Sequence, residues 1–144
     1  MIDQNPGMDT GFMDNKITIL HVDDDPLEQE FILWQLRRNA EDFEIIEAKD
    51  GNEALKKIED KNIECVVSDY QMPKMDGIEL LEILRNQNND IPFILLTGSG
   101  DEEILERAYR CGADQFYSKS EKRNGFSRVI NSIRELVKIK RQTD

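Results

Sequence analysis

The chain has 144 residues, 30 of them acidic and 19 basic, with a formal net charge of −11. This length favours a single domain with its own core, and the acid excess argues against direct binding to nucleic-acid phosphates. No apolar run approaches the roughly 20 residues of a membrane helix, so no membrane association is expected. Cys65 and Cys111 lack any metal-binding spacing, which argues against a zinc site and favours a reducing, cytoplasmic location.

Strand and helix patterns alternate along the chain after residues 1–15, which have no hydrophobic period and are interpreted as a flexible N-terminal tail. Short apolar runs predict five strands, and apolar residues at helical spacing predict a helix after each strand. The predicted strands are residues 17–22, 43–47, 63–68, 91–96 and 114–118. The predicted helices begin near Leu27, cover residues 53–60, 78–84 and 101–110, and end with a long helix from Phe126.

The first predicted helix carries signals for both its core-facing side and its start. Leu27, Phe31 and Trp34 recur at i, i+4 and i+7, so we expect Phe31 and Trp34 to lie in the core. Asp25 is followed by a proline and, three residues later, by Glu28, which is a typical helix start. Asp25 is therefore predicted to cap the helix rather than to belong to a functional site.

Polar side chains follow four of the five predicted strands. The strict alternation of strands and helices predicts an α/β fold with a parallel sheet covered on both faces, in which ligands bind beyond the carboxyl ends of the strands. Asp23 and Asp24, then Asp69, Thr97 and Lys119 would meet at that edge. Clustered carboxylates repel unless a cation lies between them, and an all-oxygen set suits Mg²⁺. Because a carboxylate can also attack phosphorus, the edge predicts a phosphoryl site with bound Mg²⁺.

Four segments of the sequence resemble the receiver domain of two-component response regulators. They are ILHVDDDP, VVSDYQMPKMDG, ILLTGSG and GADQFYSKS. The resemblance covers residues 16–141, which we predict to form the receiver domain, with residues 142–144 as a C-terminal tail. It implies a five-stranded parallel sheet, doubly wound in the order 2-1-3-4-5 with helices on both faces, as in chemotaxis receivers.

The resemblance implies a role for each matching residue of the site. Asp69 would accept the phosphoryl group, and Thr97 and Lys119 would contact it. The residues that would hold Mg²⁺ are Asp23, Asp24, Asp69 and Gln71. Of these, Asp24 would be a direct ligand, Asp23 would act through water, and Gln71 would contribute its backbone carbonyl.

The resemblance also implies a signalling switch that promotes only its own phosphorylation and dephosphorylation, and not an enzyme with an outside substrate. Phe116 would be the aromatic switch residue, acting by ring packing because it lacks a hydroxyl. The face made by the fourth helix, fifth strand and fifth helix would then change. The phosphoryl donor would be a histidine kinase or a histidine phosphotransfer protein. The changed face would control a downstream protein effector or a fused output domain, and it could form a phosphorylation-linked homodimer.

Some residues depart from the family pattern or leave alternatives open. Members usually carry proline directly after the lysine, where this chain has Ser120, so the placement of Lys119 is an open question. A pseudo-receiver that binds partners without phosphorylation is one alternative. An aspartate-nucleophile phosphatase of the haloacid dehalogenase type is another, although it would need an aspartate at Gln71. His21, inside the first strand, is interpreted as a locally packed or hydrogen-bonded residue rather than a phosphorelay histidine.

Overall fold

The computed structural model describes residues 16–98 and 101–143, and the N-terminal tail predicted for residues 1–15 lies outside this part of the chain. The strands are β1 (Ile17–Val22), β2 (Phe43–Ala48), β3 (Cys65–Asp69), β4 (Phe93–Thr97) and β5 (Gln115–Ser118). The α-helices are α1 (Pro26–Asn39), α2 (Gly51–Asp60), α3 (Gly77–Asn86), α4 (Glu102–Arg110) and α5 (Ser127–Thr143). A 3₁₀ helix (Lys119–Asn124) joins β5 to α5, and α5 continues into the stretch predicted as a C-terminal tail.

The five strands form one parallel sheet in the order β2-β1-β3-β4-β5, which confirms the predicted fold class. Helices α1 and α5 cover one face of the sheet, and α2, α3 and α4 cover the other. Because successive strand side chains point to opposite faces, Ile19 packs toward α1 and α5, whereas Leu20 packs toward α2 and α3. Strands β3 and β4 are buried along their whole length, as expected for central strands covered on both faces.

The prediction that Phe31 and Trp34 lie in the core is wrong. Leu27, Phe31 and Trp34 are 81%, 42% and 54% exposed, whereas Ile32 and Leu36 of the same helix are buried against the sheet. Helix α1 carries two apolar stripes, and helical spacing is satisfied by both. Only the packing of the helix on the sheet decides which stripe is covered.

Several boundaries differ from the predicted ones by one or two residues, three of them at the starts of β3, β4 and α5. Strands β3 and β4 each begin two residues later than predicted, and Pro92 stays outside β4, where its carbonyl accepts a hydrogen bond from the Val66 amide at 2.9 Å. Helix α5 begins after Phe126, because Gly125 and Phe126 both have positive φ angles, 63° and 60°. The Phe126 side chain is nevertheless buried, so this residue anchors the core from outside the helix.

No helix within the described residues combines the length and apolar character needed to cross a bilayer.

Candidate functional site

Three carboxylates meet at the carboxyl ends of β1 and β3. These strands are neighbours, with Val22 beside Ser68 in the register, so the residues that follow each of them come together. One oxygen each from Asp23, Asp24 and Asp69 lies within 4.8 Å of the others. Asp23 and Asp69 are buried, and Asp24 is exposed at the rim. The topology thus assembles the predicted acidic cluster from separate parts of the chain.

Asp23 is a buried acid with an incomplete set of hydrogen bonds. Its Oδ1 accepts from the Asp25 amide at 3.0 Å, whereas its Oδ2 is buried and has no hydrogen-bond partner among the described residues. Burial raises the pKa of Asp23 to about 7, the Asp25 amide opposes that shift, and the charge of Asp69 adds to it. A hard divalent cation among these oxygens would satisfy Oδ2 and remove the repulsion, so the donor set fits Mg²⁺.

Asp69 ends β3 and points toward a positive group. The Lys119 Nζ lies 3.0 Å from its Oδ1. Burial raises the pKa of Asp69, the ion pair with Lys119 lowers it, and the charges of Glu28 and Asp24 raise it again. The backbone carbonyl of Asp69 accepts a hydrogen bond from Ser68 Oγ at 2.9 Å. The Asp69 side chain is therefore paired with Lys119, and its backbone is held by the Ser68 hydroxyl.

Lys119 reaches the cluster from the first residue of the 3₁₀ helix. All described peptide bonds are trans, including the one before Ser120, and the Ser120 amide donates to Ser118 Oγ at 3.1 Å, which starts the helix. Lys119 contacts Glu28 of α1 as well as Asp69. Burial lowers its pKa, but the hydrogen bonds to Glu28 and Asp69 outweigh that effect and raise the pKa above its ordinary value.

The other predicted site residues lie around this cluster. Thr97 is buried at the end of β4 beside Ser118 in the register, so it occupies the strand end between those of Asp69 and Lys119. Gln71 is exposed in the loop after β3, which lines an open cavity of about 450 Å³. Phe116 is partly buried and packs toward α2, α3 and α4.

Sequence reasoning missed the part played by Glu28, which it treated only as a helix-start residue. Asp25 does cap α1, because its Oδ1 accepts from the amides of Leu27 at 3.0 Å and Glu28 at 3.4 Å. The Glu28 carboxylate, however, accepts a hydrogen bond from the Lys119 ammonium. The sequence did contain one indication of this role, because Glu28 lies in the first turn of α1, directly after the acidic pair at the carboxyl edge of the sheet.

A second missed contact lies behind the site, at the pairing of β1 with β2. His21 is fully buried opposite Glu47, and His21 Nδ1 lies 2.8 Å from Glu47 Oε1. The local hydrogen bond expected for His21 is confirmed. Only the register of β1 with β2 reveals Glu47 as the partner.

Comparison with known proteins gives one consistent result. A family model described as the response regulator receiver domain matches residues 19–131. The alkaline phosphatase synthesis transcriptional regulatory protein PhoP of Bacillus subtilis is 36% identical over 101 residues, which are 70% of this chain and 41% of that protein. Response regulator RR06 of Streptococcus pneumoniae is 37% identical over 103 residues, 72% of this chain and 46% of that protein.

Solved structures of receiver domains also superpose on this chain. The receiver domain of the Francisella response regulator 1452 superposes with a TM-score of 0.75 at 30% identity, covering 87% of this chain and 99% of that domain. The chain therefore matches nearly all of a solved receiver domain, whereas it spans less than half the length of the two curated relatives.

Proposed function

Because the chain belongs to the response regulator receiver domain family, we propose that it is a phosphorylation-dependent switch of a two-component phosphorelay, with Asp69 as the phosphoryl acceptor. One observation carries the proposal: the buried Asp69 carboxylate lies 3.0 Å from the Lys119 ammonium, beside an acidic cluster that has the donor set of a Mg²⁺ site. We assign the receiver domain to residues 16–141.

The reaction is a transfer from phosphohistidine to Asp69. A carboxylate oxygen of Asp69 attacks phosphorus, the phosphorus–nitrogen bond to the imidazole of the donor breaks, and an acyl phosphate forms. Lys119 places positive charge beside the phosphoryl oxygens, and the Thr97 hydroxyl donates a hydrogen bond to one of them. Asp69 suits this role because Lys119 holds its side chain in one orientation.

Asp23, Asp24, Asp69 and the backbone carbonyl of Gln71 are the proposed ligands of Mg²⁺. When bound, the ion supplies part of the positive charge that the transferring phosphoryl oxygens need. The buried and unpartnered Oδ2 of Asp23 supports this assignment, because such an oxygen is costly unless a cation or a donor reaches it.

The proposed readout is a change on the face formed by α4, β5 and α5. Phe116 is the switch residue; its partly buried ring packs at the edge of the core, where a rotation changes that surface. A histidine kinase or histidine phosphotransfer protein donates the phosphoryl group in the cytoplasm. A downstream effector or fused output domain reads the face, and two phosphorylated copies can pair through it.

The test is phosphorylation by acetyl phosphate, followed by intact-protein mass spectrometry. The wild type should gain one phosphoryl group only when Mg²⁺ is present, Asp69→Ala should gain none, and Asp60→Ala, at an exposed position at the end of α2, should behave as the wild type. A wild type that gains no mass would favour the pseudo-receiver. Repeated turnover of p-nitrophenyl phosphate would favour the phosphatase.

A further inference from the structure

Glu28 and Asp69 share one ammonium group. Lys119 Nζ lies 3.0 Å from Asp69 Oδ1 and also donates a hydrogen bond to Glu28 Oε1. The side chains of Lys119 and Glu28 are 20% and 32% exposed, so solvent screens this pair less than it would a surface pair. Glu28 lies outside the group of carboxylates that could hold a metal ion.

The geometry of α1 directs Glu28 to this position. Asp25 caps the helix and Pro26 is its first residue, so Glu28 lies in the first turn, directly over the carboxyl edge of the sheet. The contact joins two parts of the chain that are 91 residues apart. In addition to the effect of burial, the negative charge of Glu28 raises the pKa of Asp69, as expected for two carboxylates near one cation.

We propose that Glu28 competes with the phosphoryl group on Asp69 for Lys119 and thereby limits the stability of the phosphorylated state. The inference rests on the function proposed above. Phosphorylation adds negative charge at Asp69, and Lys119 is the positive group that contacts that side chain. An ammonium has three N–H donors and can hold two acceptors, but its single charge is then divided between them.

The competition has a defined origin in this sequence. The Glu28 carboxylate accepts a hydrogen bond from Lys119, while the Asp25 side chain alone caps the first amides of α1. Replacing Glu28 by glutamine keeps one oxygen acceptor in a side chain of the same shape, exchanges the other oxygen for an NH2 group and removes the negative charge. The full charge of Lys119 then becomes available to the group on Asp69.

The experiment is calorimetric titration with beryllofluoride, a phosphoryl mimic, at saturating Mg²⁺. Glu28→Gln should bind it about fivefold more tightly than the wild type, the size expected for one partly buried charge pair. Glu30→Gln is the matched control, because Glu30 lies exposed on the same helix and the charge change is identical. It should bind as the wild type does.

A second pair of variants shows whether the effect passes through Lys119. In a Lys119→Ala background, adding Glu28→Gln should leave the affinity for beryllofluoride unchanged. The inference is overturned if Glu28→Gln matches Glu30→Gln, if it weakens binding, or if its effect persists without Lys119. Unchanged thermal unfolding of Glu28→Gln verifies that the variant is folded. A wild type that fails to bind beryllofluoride would overturn the proposed function itself, which is a distinguishable result.

Discussion

At the scale of single residues, burial of Asp23 imposes an electrostatic cost on this site. The residue is 1% exposed, and the pKa of its carboxyl group is raised from 3.8 to about 7 by burial, against the hydrogen bond from the Asp25 amide. An acid whose folded-state pKa is raised contributes stability that is fully present below the unfolded pKa. That stability is lost as the pH rises through the folded value. Without metal, the ionised Asp23 therefore opposes folding at neutral and higher pH.

We expect Asp23→Asn to stabilise the metal-free protein, and to do so more strongly at high pH. Asparagine retains an oxygen for the Asp25 amide but never ionises, so the variant escapes the loss that the wild type suffers as the pH rises through about 7. The gain in unfolding free energy near pH 8 should exceed the gain near pH 5 by about 2 kcal/mol. Urea unfolding in EDTA measures both. A gain equal at the two pH values would contradict burial as the cause.

At the scale of elements, the start of α3 packs closely against the backbone of Asp69. A Cβ on Gly77, the first residue of α3, would lie 2.4 Å from the Asp69 carbonyl oxygen and 2.6 Å from Leu95 Cδ1. Both neighbours belong to the buried central strands and cannot withdraw easily. Gly51, the first residue of α2, is different, because its close neighbour is the flexible side chain of Met75, at 2.2 Å from Sδ.

Gly77→Ala should therefore lower the unfolding free energy by about 1–3 kcal/mol, because the methyl group must displace backbone at the proposed acceptor. Gly51→Ala should cost less, since a methionine side chain can move to another rotamer. Urea denaturation compares the two variants directly. Equal losses would show that the approach of α3 to Asp69 is not the limiting contact.

At the scale of the whole molecule, the proposed cation site would couple metal binding to folding. The acidic cluster forms only when β1 and β3 pair, so a cation that it holds binds the folded state and stabilises it by mass action.

We expect MgCl₂ to raise the melting temperature of the wild type, with a stabilisation of about 2.7 kcal/mol at a hundredfold excess over Kd. Asp24→Ala should lose most of this rise. Asp25→Ala should keep the rise from a lower starting temperature, since Asp25 is the cap of α1. Differential scanning calorimetry with and without MgCl₂ tests this. Equal losses of the Mg²⁺ response in both variants would contradict the assignment of Asp25 as a cap only.

The fold was largely predictable because its signals are local. The parallel α/β sheet was predicted from the alternating strand and helix patterns, the apolar central strands and the motifs around Asp69. Asp23, Asp24 and Asp69 directly follow or end parallel strands, and this position predicted that they meet at one edge of the sheet. The side of a helix that faces the sheet is not a local property, and so the stripe of α1 that carries Phe31 and Trp34 was wrongly predicted to lie in the core.

The sequence by itself determined the fold class, the family and the residues gathered at the carboxyl edge, because the hydrophobic period, the alternation of strands with helices and the motifs that resemble the receiver family are local features of the chain. Only the tertiary structure decided which side chains pair across distant elements. Glu28 meets Lys119, and His21 meets Glu47, because helix docking and strand register bring them together. The pKa of Asp23 likewise depends on burial, which no local pattern encodes.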